Sequence, residues 1–122
     1  MLLNNLFIVE KSVSEGNSLR ATLRIRREHP IFEGHFPEVP ILPGVCMIQL
    51  IKELVSVVNG TNWFLHEGSN IKFLAPVNPQ TNDVIEAAVT MNPEAENRID
   101  VNSTLSFGDT VFFKMKASLK RA

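Results

Sequence analysis

Gly34-His35-Phe36-Pro37-Glu38-Val39-Pro40-Ile41-Leu42-Pro43-Gly44-Val45 leads directly into the apolar run Cys46-Met47-Ile48-Gln49-Leu50-Ile51. Each proline fixes its own φ and removes a backbone donor, so Pro37, Pro40 and Pro43 stiffen the stretch and keep it out of a strand ladder. The chain from about Pro43 to Val58 reads as a helix, stopped by Asn59-Gly60. Its interior polar residues, Gln49, Lys52, Glu53 and Ser56, recur at i, i+3, i+4, i+7 and form one narrow stripe. A helix apolar around the rest of its circumference is buried on most sides. In a chain of 122 residues, wrapping a sheet around it is the economical way to bury it. The stretch also sets an imidazole, His35, near the free N–H groups of a helix start, where the macrodipole adds positive charge. A base facing such a helix end suits proton abstraction beside a thioester carbonyl.

The rest of the chain alternates like strands. Leu6 to Ser14 ends at a Glu15-Gly16-Asn17 turn, and Leu19, Ala21, Leu23 and Ile25 alternate with Arg20, Thr22, Arg24 and Arg26. Trp63 to Leu65 and Asn70 to Ala75 form a segment with a break expected at Gly68, and Val84 to Met91 comes after the Gln80–Asp83 turn. Ile99 to Phe107 and Val111 to Leu119 read as a hairpin about Gly108-Asp109. One long helix with five or six antiparallel strands, in a single domain over 1–122, is an α+β arrangement.

Composition narrows the function. Net charge is −1, which gives no overall bias toward nucleic acid or membrane. Cations still cluster at Arg24, Arg26 and Arg27, and again at Lys114, Lys116, Lys120 and Arg121. Solvated strand faces are the plain reading, and a docking patch for an acidic carrier protein the sharper one. Cys46 is the one cysteine, so no intrachain disulfide forms, and a reducing cytoplasm is the expected compartment. In the first helical turn Cys46 reads as a small buried hydrophobe rather than a reactive thiol. The start of the chain has no signal-peptide pattern, and no run approaches a membrane span. No metal-ligand spacing or glycine-rich phosphate loop is present, so neither metal nor other cofactor is expected.

The proline stretch resembles the signature loop of the β-hydroxyacyl-[acyl carrier protein] dehydratases, roughly G-H-F-P-G-x-P-[IV]-[ML]-P-G-V before a helix. A second block, Ile71-Lys72-Phe73-Leu74-Ala75-Pro76-Val77-Asn78-Pro79, is similar to that family's K-F-x-x-P-V-x-P strand and turn. The resemblance spans about residues 7 to 120, with dense motifs only in 30–49 and 71–79. It implies a hotdog fold, the sheet wrapped around the helix, and dehydration of a 3-hydroxyacyl thioester to the trans-2-enoyl thioester. By resemblance His35 is the base, Gly44 or Val45 supplies the oxyanion-binding N–H, and Phe36, Met47, Ile48 and Phe73 line the acyl site. The implied partners are acyl carrier protein, or coenzyme A, as thioester carrier, and a second subunit. That subunit would give a homodimer, a trimer of dimers, or a pair with a different hotdog chain. His29 and His66 read as surface or packing residues.

The sequence departs from the family at Gln49, where a carboxylate usually protonates the leaving hydroxyl across the dimer. A carboxamide can hold a hydroxyl but has no proton to give. Three readings are open: a dehydratase in which His35 ferries the proton and Gln49 positions the hydroxyl; replacement of the acid by Glu53, one turn along; or a non-catalytic partner subunit. A thioesterase is a further alternative, disfavoured because it needs a carboxylate to activate water. Glu38 replaces the family's usual glycine and reads as a loop residue.

Overall fold

The structure is a computed structural model that describes residues 1–34, 40–60 and 63–121, apart from the side chain of Ser69. Strands β1 (Phe7–Glu15) and β2 (Ser18–Ile25) precede a single helical turn, α1 (Ile31–Gly34), and the long helix α2 (Gly44–Asn59). Four strands complete the chain: β3 (Trp63–Phe73), β4 (Val84–Ala95), β5 (Arg98–Phe107) and β6 (Thr110–Arg121). They form one six-stranded sheet in the order β1-β2-β4-β5-β6-β3, every neighbour antiparallel.

Alternation decides which face of this sheet meets the helix. Leu19, Leu23, Ile85, Val89, Val101, Leu105, Met115 and Leu119 point inward from four strands and join Met47, Leu50, Ile51, Leu54 and Val55 of α2 in one core. Each such side chain contributes about 1.5–3 kcal/mol when fully buried. Ser103, the polar residue on that inner face, donates its hydroxyl to Met115 O at 3.3 Å. The helix ends as its sequence requires: Gly60 takes a left-handed φ of 67° and donates its N–H to Ser56 O.

Several expectations need correction. The helix is not buried on most sides, because Val45, Val57 and Val58 are exposed and Ile48 is half-buried. Segment 63–73 is one strand rather than two; the break expected at Gly68 becomes two register shifts against β6, at Leu65/Glu67 and Gly68/Asn70. β4 continues past Met91 through Pro93. It can do so because β2 has already ended, its last partner on β4 being Thr90, so Pro93 faces no strand on that side. The arginine cluster is ion-paired on the strand surface. Arg24 bonds Glu10 and Asp83, and Arg26 pairs with Glu28.

The polar stripe of α2 is not uniformly wet either. Glu53 is 5% exposed, and its carboxylate accepts the N–H groups of Leu2 and Leu3, each at 2.9 Å. The Leu2 carbonyl in turn accepts from Asn5, Leu6 and Phe7, folding the N-terminal residues into a compact turn over the helix. Burial opposes the charge on Glu53, but the donors from Leu2, Leu3 and Gln49 outweigh it and hold the carboxyl below its ordinary 4.5. A carboxylate with a depressed folded pKa stabilises the fold above its unfolded pKa, and that stabilisation is lost as pH falls through the folded value. Denaturant titrations of the wild type should therefore show stability declining from about pH 4.5 downward. Glu53→Gln should cost about 1–3 kcal/mol at pH 7, because an amide turns donors toward donors, and should flatten the acid limb of the profile.

Candidate functional site

The two motif blocks, separated by more than twenty residues in the chain, come together at the N-terminal end of α2. Leu42 N–H donates to Val77 O at 2.9 Å, and both side chains are buried, so the proline loop is fastened to the turn beyond β3. Phe73, the last residue of β3, packs its ring tip over Gly44. A Cβ built on Gly44 would lie 2.6 and 2.8 Å from Phe73 Cε1 and Cζ, which only glycine avoids. Phe73 also stacks against buried Phe113, ring centroids 5.4 Å apart at 48°. Such a pair contributes about 0.5–1.5 kcal/mol beyond its area and fixes the wall beside the helix start.

Between these elements lies an open, mainly apolar groove of about 430 Å³, lined by Ile41, Leu42, Gly44, Met47, Phe73, Leu74, Ala75 and Pro76. The helix that opens onto it has Pro43 at its N-cap, in extended conformation, with no side-chain capping bond. Cys46 N–H donates to Pro43 O at 3.0 Å, and the N–H groups of Gly44 and Val45 begin the helix with no side-chain cap among the described residues and the positive end of the dipole behind them. An apolar groove ending at such donors can hold an acyl chain and stabilise negative charge on a carbonyl oxygen. Met47 is buried at the groove floor, Ile48 half-buried beside it, and the Val45 side chain points to solvent. Phe73 lines the groove and is more exposed than an ordinary core phenylalanine. His35, Phe36 and Glu38 lie outside the described residues.

Gln49 sits a turn further along α2, half-buried, and both ends of its amide are engaged. Nε2 donates to Glu53 Oε2 at 2.9 Å, and Oε1 accepts from Lys52 Nζ at 3.3 Å. The anionic partner fixes the flip of the carboxamide: its NH2 end faces Glu53, leaving one N–H to offer elsewhere. Glu53, one turn along, is engaged by its neighbours. It accepts three hydrogen bonds that favour its charged form, which works against a role as the acid. The N-terminal turn on Glu53 had no signal in the sequence beyond the placing of a glutamate in the helix's narrow polar stripe.

Cys46 is buried and its thiol is pushed up by that burial, so it is a packing residue. His29 accepts the Ile31 N–H on Nδ1 at 3.1 Å and so caps α1, while His66 is exposed on β3. Among the described residues no three His, Cys, Asp or Glu side chains are grouped to hold a metal ion. No helix among them is long and apolar enough to cross a membrane.

Known proteins share this architecture. A subunit of the dehydratase heterocomplex ApeI:P from Xenorhabdus doucetiae superposes with a TM-score of 0.75 at 21% identity, over 93% of this chain and 97% of that one. Cj0977, a sigma28-regulated virulence protein of Campylobacter jejuni, gives 0.69 at 10% identity, over 92% and 82%. The thioesterase HI1161 of Haemophilus influenzae gives 0.64 at 14% identity, over 96% and 79%. At these identities the likeness establishes the hotdog fold. The family model described as ApeI-like, the ApeI dehydratase, matches residues 10–111. With both motif blocks inside that match and joined at the start of α2, the chain belongs to the ApeI-like dehydratase family of hotdog proteins.

Proposed function

We propose that the protein dehydrates 3-hydroxyacyl thioesters carried on acyl carrier protein, in fatty-acid or related lipid or polyene synthesis, as one subunit of a hotdog dimer. The observation that carries this reading is the uncapped start of α2 opening beneath Phe73 onto an apolar groove. In the proposed reaction the acyl chain lies in the groove, and the thioester oxygen points at the Gly44 or Val45 N–H. His35 removes the α-proton, and the charge that develops on the oxygen is met by the helix end. The β-hydroxyl then leaves as water, taking back a proton from the imidazolium, since a carboxamide at Gln49 can only hold it. The remaining Gln49 N–H is suited to that holding role.

A second reading is supported by the pairing of Gln49 with Glu53 and Lys52, which turns the amide into the helix's own surface. Among the described residues β3 is an edge strand whose only neighbour in the sheet is β6, and Phe64 and Leu65 on it are exposed, as is Val45 on the helix. Such a face suits a second hotdog subunit, identical or different, and the ApeI:P relative is itself a heterocomplex. In that reading this chain is a partner that turns nothing over alone. Hydrolysis of the thioester is the weakest reading, because the carboxylate nearest Gln49 already accepts three hydrogen bonds.

The deciding experiment monitors enoyl product by mass spectrometry from 3-hydroxyacyl-carrier-protein substrates of several lengths. Turnover by the wild type, falling at least about 10²-fold in His35→Ala, is the expected result. No turnover by the wild type, with activity gained in Gln49→Glu, would replace the dehydratase reading by the partner-subunit one. Gly44→Ala should cut turnover at least about tenfold, because the new methyl drives the Phe73 ring off the helix start. Its stability cost should stay near about 1 kcal/mol, since the half-exposed ring can swing away.

A further inference from the structure

The carboxamide of Gln49 lies between opposite charges. Its Nε2 donates to Glu53 Oε2 at 2.9 Å, and its Oε1 accepts from Lys52 Nζ at 3.3 Å. Turning the amide over would set its NH2 against the ammonium and its carbonyl against the carboxylate, so both neighbours resist the flip. Glu53 is itself held from the other side. It is buried, Oε2 accepts from Leu2 N–H and Oε1 from Leu3 N–H, and the amino-terminal charge draws the carboxyl further toward its charged form. Lys52 is steadied in turn by the Phe64 ring, whose centroid lies 5.9 Å from Nζ. The polar stripe of α2 is therefore a chain of contacts that runs from the N-terminal turn through Glu53 and Gln49 to Lys52 and β3.

What these contacts leave over is chemically specific. One Nε2 hydrogen is on Glu53, and the second has no acceptor among the described residues, whereas the carbonyl oxygen already faces an ammonium. The two ends of an amide act on a leaving hydroxyl in opposite senses. A donated N–H draws electron density from the oxygen and eases the break of the C–O bond. A carbonyl that accepts the hydroxyl hydrogen feeds density in and opposes the break. We infer that Glu53 is a positioning residue, which fixes the Gln49 carboxamide so that an N–H, and not the carbonyl, is offered to the β-hydroxyl. This rests on the proposed dehydration and adds to it the group that sets the polarity of position 49. The C–O electron pair still leaves on oxygen, which takes its proton from the His35 imidazolium, and no proton moves through Gln49. The same geometry dictates how a carboxyl at position 49 would behave. Beside a carboxylate that already holds two backbone donors, it would keep its proton and donate it to Glu53.

The test combines turnover of a 3-hydroxyacyl-carrier-protein substrate with NMR of the Gln49 side-chain amide, assigned by its loss in Gln49→Ala. Glu53→Gln should lower kcat about tenfold and leave KM within about twofold, since an amide at position 53 no longer fixes which end of Gln49 is offered. In a Gln49→Ala background the same change should lower kcat no further, because Glu53 acts through Gln49. A merely structural glutamate would cost as much in both backgrounds. In the wild type one Gln49 N–H signal should lie downfield and move as Glu53 takes up its proton, with a midpoint below the ordinary 4.5. In Gln49→Glu the introduced carboxyl should titrate above the ordinary carboxylate range, and combining it with Glu53→Gln should bring it back. An equal loss of kcat in both backgrounds, a Gln49 signal indifferent to the titration, or an ordinary midpoint for the introduced carboxyl would overturn the assignment. The wild-type amide signals need neither a variant nor turnover, so protein that shows them and converts no substrate would overturn the dehydratase reading alone.

Discussion

Burial of α2 against the inner face of the sheet is the constraint on which the rest of this structure depends. A helix of sixteen residues with this apolar content cannot remain in water, and one sheet face supplies the area to cover it. Because the helix is held along its length, its first turn is held in place too. Pro43 and Gly44 then leave that turn without a side-chain cap. The stability of the core and the electrostatic character of the groove are thus consequences of the same packing.

The groove exists because strand pairing carries the end of β3 to the helix start. Phe73 is set by its register opposite Phe113, and Leu42 is tied to Val77, so wall and floor are fixed by backbone bonds. Elements fixed in this way need little reorganisation when charge develops on a ligand, which is the condition under which backbone donors stabilise it most. Glycine at position 44 is demanded by the closeness of the phenylalanine ring rather than by any unusual φ.

The polar stripe of the helix serves two ends. Glu53 turns inward to gather the N-terminal turn, and through Gln49 it ties that turn to the position where this family usually carries an acid. One carboxylate thereby sets both the local stability and the orientation of the neighbouring carboxamide. The proton for the leaving hydroxyl must come from elsewhere, which gives His35 two roles in the proposed reaction and makes a neighbouring subunit's contribution matter.

The sequence by itself determined the element order, the helix with its glycine stop and the inward-facing strand residues. Those arise from periodicities and backbone preferences that act within a few residues. The motif blocks were likewise legible, because proline and glycine restrict the chain wherever they occur. Only the tertiary structure decided that Phe73 covers Gly44, that Glu53 is buried beneath Leu2 and Leu3, and that Val45 is left in solvent. It also decided that Arg24 and Arg26 pair with carboxylates while Lys72 and Lys114 face one another. Each of these depends on which strand lies beside which and in what register, a relation between residues distant in the chain that local patterning does not encode.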